Sequence, residues 1–162
     1  MSELILLLPI GYLLLASFPL VLADLREHRL PNPITYPAIL FSHVATLFVA
    51  FSEGHFQQLV WAIVASALTF GIGFTLAKYA DFGMGDVKLL TATNHLLAWF
   101  SPWLVLFALT LSFTLASVVG GIQMLLGKLS RQTPIAMGPY LLFGFFTFAW
   151  APAASSSLAA LS

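Results

Sequence analysis

Cysteine is absent from the 162-residue chain, which excludes disulfides, thiol catalysis, thiolate zinc sites and palmitoylation. Redox chemistry therefore leaves no mark of compartment. Charge is nearly as scarce: six Asp/Glu and six Lys/Arg make up 7% of the residues, against roughly a quarter in soluble domains. Tandem repeats, low-complexity tracts and long linkers are also missing, so no second, soluble domain separates from the rest. What fills the chain is apolar, at 60% hydrophobic residues and a mean hydropathy of +0.97. This is the composition of an all-α integral membrane protein, read as one membrane-embedded domain over residues 1–162. The net charge of zero says little about partners, because the side of the membrane on which charges fall matters more than their sum.

Apolar runs lie at about Leu4–Ala23, Ile34–Phe51, Gln58–Ala77, Val87–Phe100, Trp103–Leu126 and Ile135–Ala151, which predicts a bundle of six transmembrane helices. Most approach the length of about 20 residues that crosses a bilayer as a helix. The fourth, at about 14, is too short to cross alone. Either the break at Ser101-Pro102 lies inside the membrane, or a non-helical Gly83–Asp86 stretch dips inward, which a membrane tolerates only around a wet cavity. The cations Arg26, Arg29, Lys78, Lys88, Lys128 and Arg131 fall in the first, third and fifth connections, and the other connections and both tails have none. The positive-inside pattern then puts those three loops in the cytoplasm and both termini outside. No basic residue precedes Leu4, so the first span reads as retained rather than as a cleaved signal peptide, despite the small-residue ending Val21-Leu22-Ala23. Trp61, Trp99, Trp103 and Trp150 near span ends read as interfacial anchors. Ala65, Gly71, Gly73, Gly120 and Gly121 read as small residues that let helices approach closely.

With so few charges, each is either outside the bilayer or inside it for a reason. Asp24 closes the first span, and Pro31 biases Leu30 away from helix, so the helix should run about a turn past Asp24 and stop. Alone, Asp24 reads as a boundary residue. Asp86 stands in Gly83-Met84-Gly85-Asp86-Val87-Lys88, just before a span begins, and alone reads as an N-cap. Together they read differently, because both lie at cytoplasmic span ends and could face one another across the bundle. Two close carboxylates cannot both ionise easily and share a proton, which suits them to deprotonating a water and protonating a substrate carbonyl or leaving amine. Asp86 at a helix N-terminus would be the ionised base and Asp24, towards a helix C-terminus, its protonated partner.

These residues resemble the type IV prepilin peptidases, membrane aspartic proteases of the GxGD kind. The resemblance covers Asp24 with Arg29-Leu30-Pro31-Asn32, then Gly83-Met84-Gly85-Asp86-Val87-Lys88, then Pro134-Ile135-Ala136-Met137-Gly138-Pro139 opening the last span. It implies that Asp24 and Asp86 are the catalytic pair, in a site at the cytoplasmic face of a bacterial inner membrane. The activity it implies is removal of a short basic leader from prepilins or pseudopilins, with no metal, organic cofactor or nucleic acid. Gly83 and Gly85 would shape the loop, and Lys88 would bind substrate or anchor at the headgroups. The larger, bifunctional members carry an extra cytoplasmic region with paired cysteines and also methylate the new N-terminus. Neither is present here, so the expectation is a peptidase-only form, as in Flp/Tad pilus systems.

Two readings from other classes compete. A proton-coupled transporter or channel would use intramembrane carboxylates, but it would want polar residues deeper in the spans and on both sides of the midplane. A catalytically silent protein of pilus assembly is the other. Asp81 reads as solvated, Glu3 and Glu53 as outer-side residues with no evident partner, His28 and His55 as loop residues, and His43 and His95 as packed histidines rather than metal ligands. Pro134, Gly138 and Pro139 read as shaping the last span.

Overall fold

A lipid environment leaves a backbone only internal hydrogen bonds to make, and each apolar run of this chain is helical. The computed structural model describes residues 2–80, 82–127 and 135–159, with side chains for 4–80, 82–127 and 135–150. Asp81, Lys128, Arg131 and Pro134 lie outside the described residues, as does the side chain of Glu3. A 3-10 turn, Ser2–Leu6, runs into α1 (Leu7–Glu27). There follow α2 (Asn32–Glu53), α3 (Phe56–Tyr79), α4 (Met84–Phe100), α5 (Pro102–Leu125) and α6 (Gly138–Ala159), with no strand among the described residues. Among the described residues four helices, α1 with its preceding turn, α2, α3 and α5, are long and apolar enough to cross a membrane, against the six spans that the apolar runs predict.

Local chemistry sets the boundaries. Helix α1 runs one turn past Asp24 and ends at His28, which takes a left-handed conformation (φ 49°) and donates its backbone N–H to Asp24 O at 2.9 Å. Pro31 is the N-cap of α2, and Gly54 closes that helix at φ 77°. The fourth segment differs from expectation. Gly83 is extended and serves as N-cap, so the helix starts at Met84 and Asp86 is its third residue, neither the cap itself nor part of a non-helical loop. An acidic side chain in a first turn complements the helix dipole, which favours this early start. At the other end, Ser101 is the one residue between α4 and α5, and Pro102 opens α5 where a missing N–H costs nothing.

Helices α2, α4 and α6 begin, and α1, α3 and α5 end, at one end of the bundle, as the approaches of Gly73 to Val87, Gly85 to Leu30, Gly120 to Ile135 and Gly138 to Asp24 require. Helix α4 is the centre: 13 of its 17 residues are buried, against α2, α3, α5 and α6. Helix α3 buries four residues of 24, so its perimeter is left to lipid. Leu15 and Phe18 are 81% and 76% exposed, a surface that suits acyl chains and not water. Gly73 serves close packing, since a Cβ there would lie 2.8 Å from Val87 Cγ1, whereas Gly71 and Gly121 have nothing within 4 Å. Trp61, Trp103 and Trp150 are exposed as anchors would be, but Trp99 is buried against Leu6, Val49 and Leu59 because its helix is enclosed. Glu53 also departs from expectation, with His55 Nδ1 at 3.9 Å from its carboxylate.

A polar cluster joins α2, α3 and α4 away from the end where Asp86 sits. The rings of His43 and His95 stack at 3.8 Å. Thr46 Oγ1 and His95 Nε2 are hydrogen-bonded at 2.8 Å, Ser66 Oγ and His43 Nε2 at 3.2 Å, and Asn94 donates to Thr69 Oγ1 at 3.0 Å. Interhelical bonds of this kind stabilise membrane bundles modestly. Thr46→Val keeps the shape and removes the hydroxyl, and should lower stability by about 1 kcal/mol, read as unfolding in mixed micelles; an unchanged midpoint would remove the cluster's structural role.

Candidate active site

At the end of the bundle where α1 stops and α2 and α4 start lies a cavity of about 560 Å³, lined by both Asp24 and Asp86. Asp24 comes from the last turn of α1 and is 3% exposed; Asp86 comes from the first turn of α4 and is 9% exposed. Sequence placed both at span ends, and the fold brings them to one cavity. Burying carboxylates is costly unless they are bonded or used, and the two are treated differently. Gly138 donates its backbone N–H to Asp24 Oδ2 at 2.7 Å. Asp86 Oδ1 is buried with no hydrogen-bond partner among the described residues.

Glycines make the approach possible. A Cβ on Gly83 would lie 2.6 Å from Asp86 Oδ2, so the carboxylate folds back over its own N-cap only because nothing is there. A Cβ on Gly85 would meet Leu30 Cβ at 2.7 Å and Leu30 N at 3.0 Å. Thus the first turn of α4 lies directly on the backbone of the loop that follows Asp24. Both glycines line the cavity, Gly83 as the N-cap of α4 and Gly85 from inside its first turn rather than from a loop. Lys88 lines it too, but points away from Asp86: its Nζ donates to Asn32 Oδ1 at 2.7 Å and stands 4.5 Å from the centre of the Tyr36 ring. It ties the start of α2 to α4.

One expectation is revised and one residue was missed. The helix dipoles favour negative charge on Asp86, yet the backbone N–H that reaches a carboxylate here reaches Asp24. Dipoles alone therefore do not assign base and acid. Gly138 was read as shaping the last span, whereas its amide is in contact with Asp24, 114 residues away. No residue type signals a backbone donor, and only the Gly-Pro at a span start hinted at it. His28 is exposed, lines the cavity and caps α1 through its backbone. Among the described residues no group of three or more His, Cys, Asp or Glu side chains converges as a metal site would need.

Two buried carboxylates on one cavity can hold a water between them and pass protons to and from a bound amide. The sequence profile of the type IV leader peptidase family matches residues 10–125, which include both aspartates. The chain is 30% identical over 143 residues to Leader peptidase HopD of Escherichia coli, covering 83% of this chain and 86% of that protein. It is 31% identical over 99 residues to Prepilin peptidase EppA of Methanothermobacter thermautotrophicus, covering 61% of this chain but only 26% of that protein. No solved structure matches. A profile match over most of the chain and a relative aligned along nearly its full length agree: the chain belongs to the type IV leader peptidase family.

Proposed function

We propose that this protein is an intramembrane aspartic endopeptidase that removes the short basic leader of prepilins or pseudopilins, with Asp24 and Asp86 as its catalytic pair. The observation that carries the proposal is the shared cavity: two buried aspartates from different helices line it, and Asp86 Oδ1 has no protein partner among the described residues. The pair holds one proton between its carboxylates. The ionised carboxylate takes a proton from a water, the water oxygen attacks the scissile carbonyl, and the protonated carboxyl gives its proton to that carbonyl oxygen. Collapse of the tetrahedral gem-diol breaks the C–N bond: the departing nitrogen takes the water-derived proton from one carboxyl, and a gem-diol hydroxyl returns its proton to the other carboxylate as the carbonyl re-forms, which restores the single shared proton.

The six helices act as six spans of a bacterial inner membrane, with both termini outside and the cavity at the cytoplasmic face, where Arg26, Arg29, Lys78 and Lys88 cluster. A precursor with cytosolic basic residues ahead of an apolar helix would present its junction at this depth. The proposal is for the peptidase step alone, since the 162 residues hold none of the paired cysteines of the bifunctional members. A Flp-like precursor is the substrate class proposed. The proton-pathway alternative wants polar residues deeper in the spans, and the cluster around His43 and His95 is such a set, but among the described residues no hydrogen bond joins it to Asp24 or Asp86. Those histidines bond instead to Thr46, Ser66 and the Ile39 carbonyl.

The test is co-expression with a candidate prepilin, following leader removal by mobility and by the new N-terminus. Cleavage that depends on this protein, and is lost in Asp24→Asn and in Asp86→Asn with both variants still in the membrane, supports the proposal. Cleavage indifferent to both substitutions ends it. Methyl transfer from S-adenosylmethionine to the processed pilin by the purified protein would overturn the peptidase-only part.

A further inference from the structure

We infer that Gly138 is a positioning residue for Asp24, holding its carboxylate by a backbone amide and needing to be glycine so that the carboxylate can reach it. The inference rests on the proposal that Asp24 is one of the catalytic pair. Asp24 stands in the last turn of α1, where the carbonyl end of a helix repels an anion. A buried carboxylate there needs a donor, and its own helix has none to give. Helix α6 supplies one from its first residue, where N–H groups have no partner within the helix.

The supply is narrow. Pro139 has no N–H, and Tyr140 and Leu141 donate theirs to Met137 O at 3.1 Å each. Gly138 is left as the donor, at 2.7 Å from Asp24 Oδ2. The fit has no slack, since a Cβ on Gly138 would stand 2.9 Å from that oxygen, 3.3 Å from Asp24 Cγ and 3.3 Å from Leu30 Cδ2. The arrangement parallels Gly83 and Asp86, where a missing Cβ also admits an Oδ2. Each aspartate is thus backed by a glycine from a helix start, one from its own helix and one from the opposite end of the sequence. The segment opening α6 belongs to the site, although its side chains offer no acid or base.

Two substitutions separate the amide from the space beside it. Gly138→Ala keeps the N–H and adds a methyl group; Gly138→Pro also removes the N–H, at a first helical position where proline is well tolerated. Both would be measured, with Asp24→Asn, as full-length purified protein in detergent cleaving a purified prepilin. The expected result is a kcat lowered about 10-fold by Gly138→Ala and about 100-fold or more by Gly138→Pro, with KM within about threefold of the parent. Equal kcat for the two variants, or losses confined to KM, would overturn the inference and leave Gly138 a packing residue. Should Gly138→Pro fail to reach the membrane, Gly138→Ala decides: reduced kcat at preserved KM supports the inference, and parental kcat overturns it. Parental activity in Asp24→Asn would instead remove the catalytic role of Asp24, whatever Gly138 does.

Discussion

Replacing Asp86 by Asn is expected to slow leader removal by about 10²- to 10⁴-fold, and adding Asp24→Asn to slow it little further. Asn matches Asp in volume, so a side chain that is 9% exposed can be exchanged without opening a cavity. What it loses is the ability to take and return a proton. Asp24→Asn is similarly mild for the fold, because an amide oxygen can still accept the Gly138 N–H that reaches this position at 2.7 Å. If the carboxylates hold a single proton between them, removing either disables both, and the two losses will not multiply. Single-turnover cleavage rates for both single variants and the double variant check this. Losses that multiply would mean independent roles and would break the shared-proton account. A parental rate in Asp86→Asn would end its catalytic assignment outright.

Gly85→Ala should be the most damaging single methyl addition at the cavity. The added Cβ would stand 2.7 Å from Leu30 Cβ, 3.0 Å from Leu30 N and 3.3 Å from Leu30 Cα. These are backbone or backbone-proximal atoms, which cannot swing aside as the end of a long side chain can. Relief requires the loop after α1 and the first turn of α4 to separate, and such overpacking costs about 1–3 kcal/mol. Because these segments carry Asp24 and Asp86, separation also moves the carboxylates apart, and cleavage should fall by at least about 10-fold. Gly71→Ala is the control: nothing lies within 4 Å of that Cβ, and alanine favours a helix over glycine by up to about 1 kcal/mol. Thermal unfolding in detergent and cleavage rate, measured for both, should diverge. A Gly85→Ala variant as stable and active as Gly71→Ala would show that the contact with Leu30 is loose.

Sequence was most informative where the physics is local. Hydropathy marked the apolar runs, and Pro31 with the charges around it marked the end of α1 within a turn. Asp24 and Asp86 stood out because the chain has only six acidic residues. The start of α4 was misjudged because Gly85 and Asp86 break the apolar run before Val87, while a helix can extend past its apolar run once a cap and a first-turn acid favour it. Trp99 was misjudged for a tertiary reason: an aromatic residue at a span end serves lipid or core equally well, and only the enclosure of α4 decides. The stacking of His43 on His95 and the bond from Gly138 to Asp24 join positions 52 and 114 apart, and no periodicity reports such meetings.

The enclosure of α4 has a consequence for how the protein is made. At 17 residues this helix spans about 25 Å, short of a full bilayer core, and it carries Asp86, Asn94 and His95. Residues of that kind each oppose entry of a lone helix into lipid. Helices α3 and α5, long and apolar on either side of it, would enter readily and draw the short segment between them. Of the six helices, the one bearing Asp86 is therefore the one that lipid alone would accept least readily, and its place in the bundle depends on the neighbours that enclose it. A nascent chain released after α4 would carry every residue that lines the cavity but not Gly138, whose amide holds Asp24, so the site is complete only once α6 has joined the bundle.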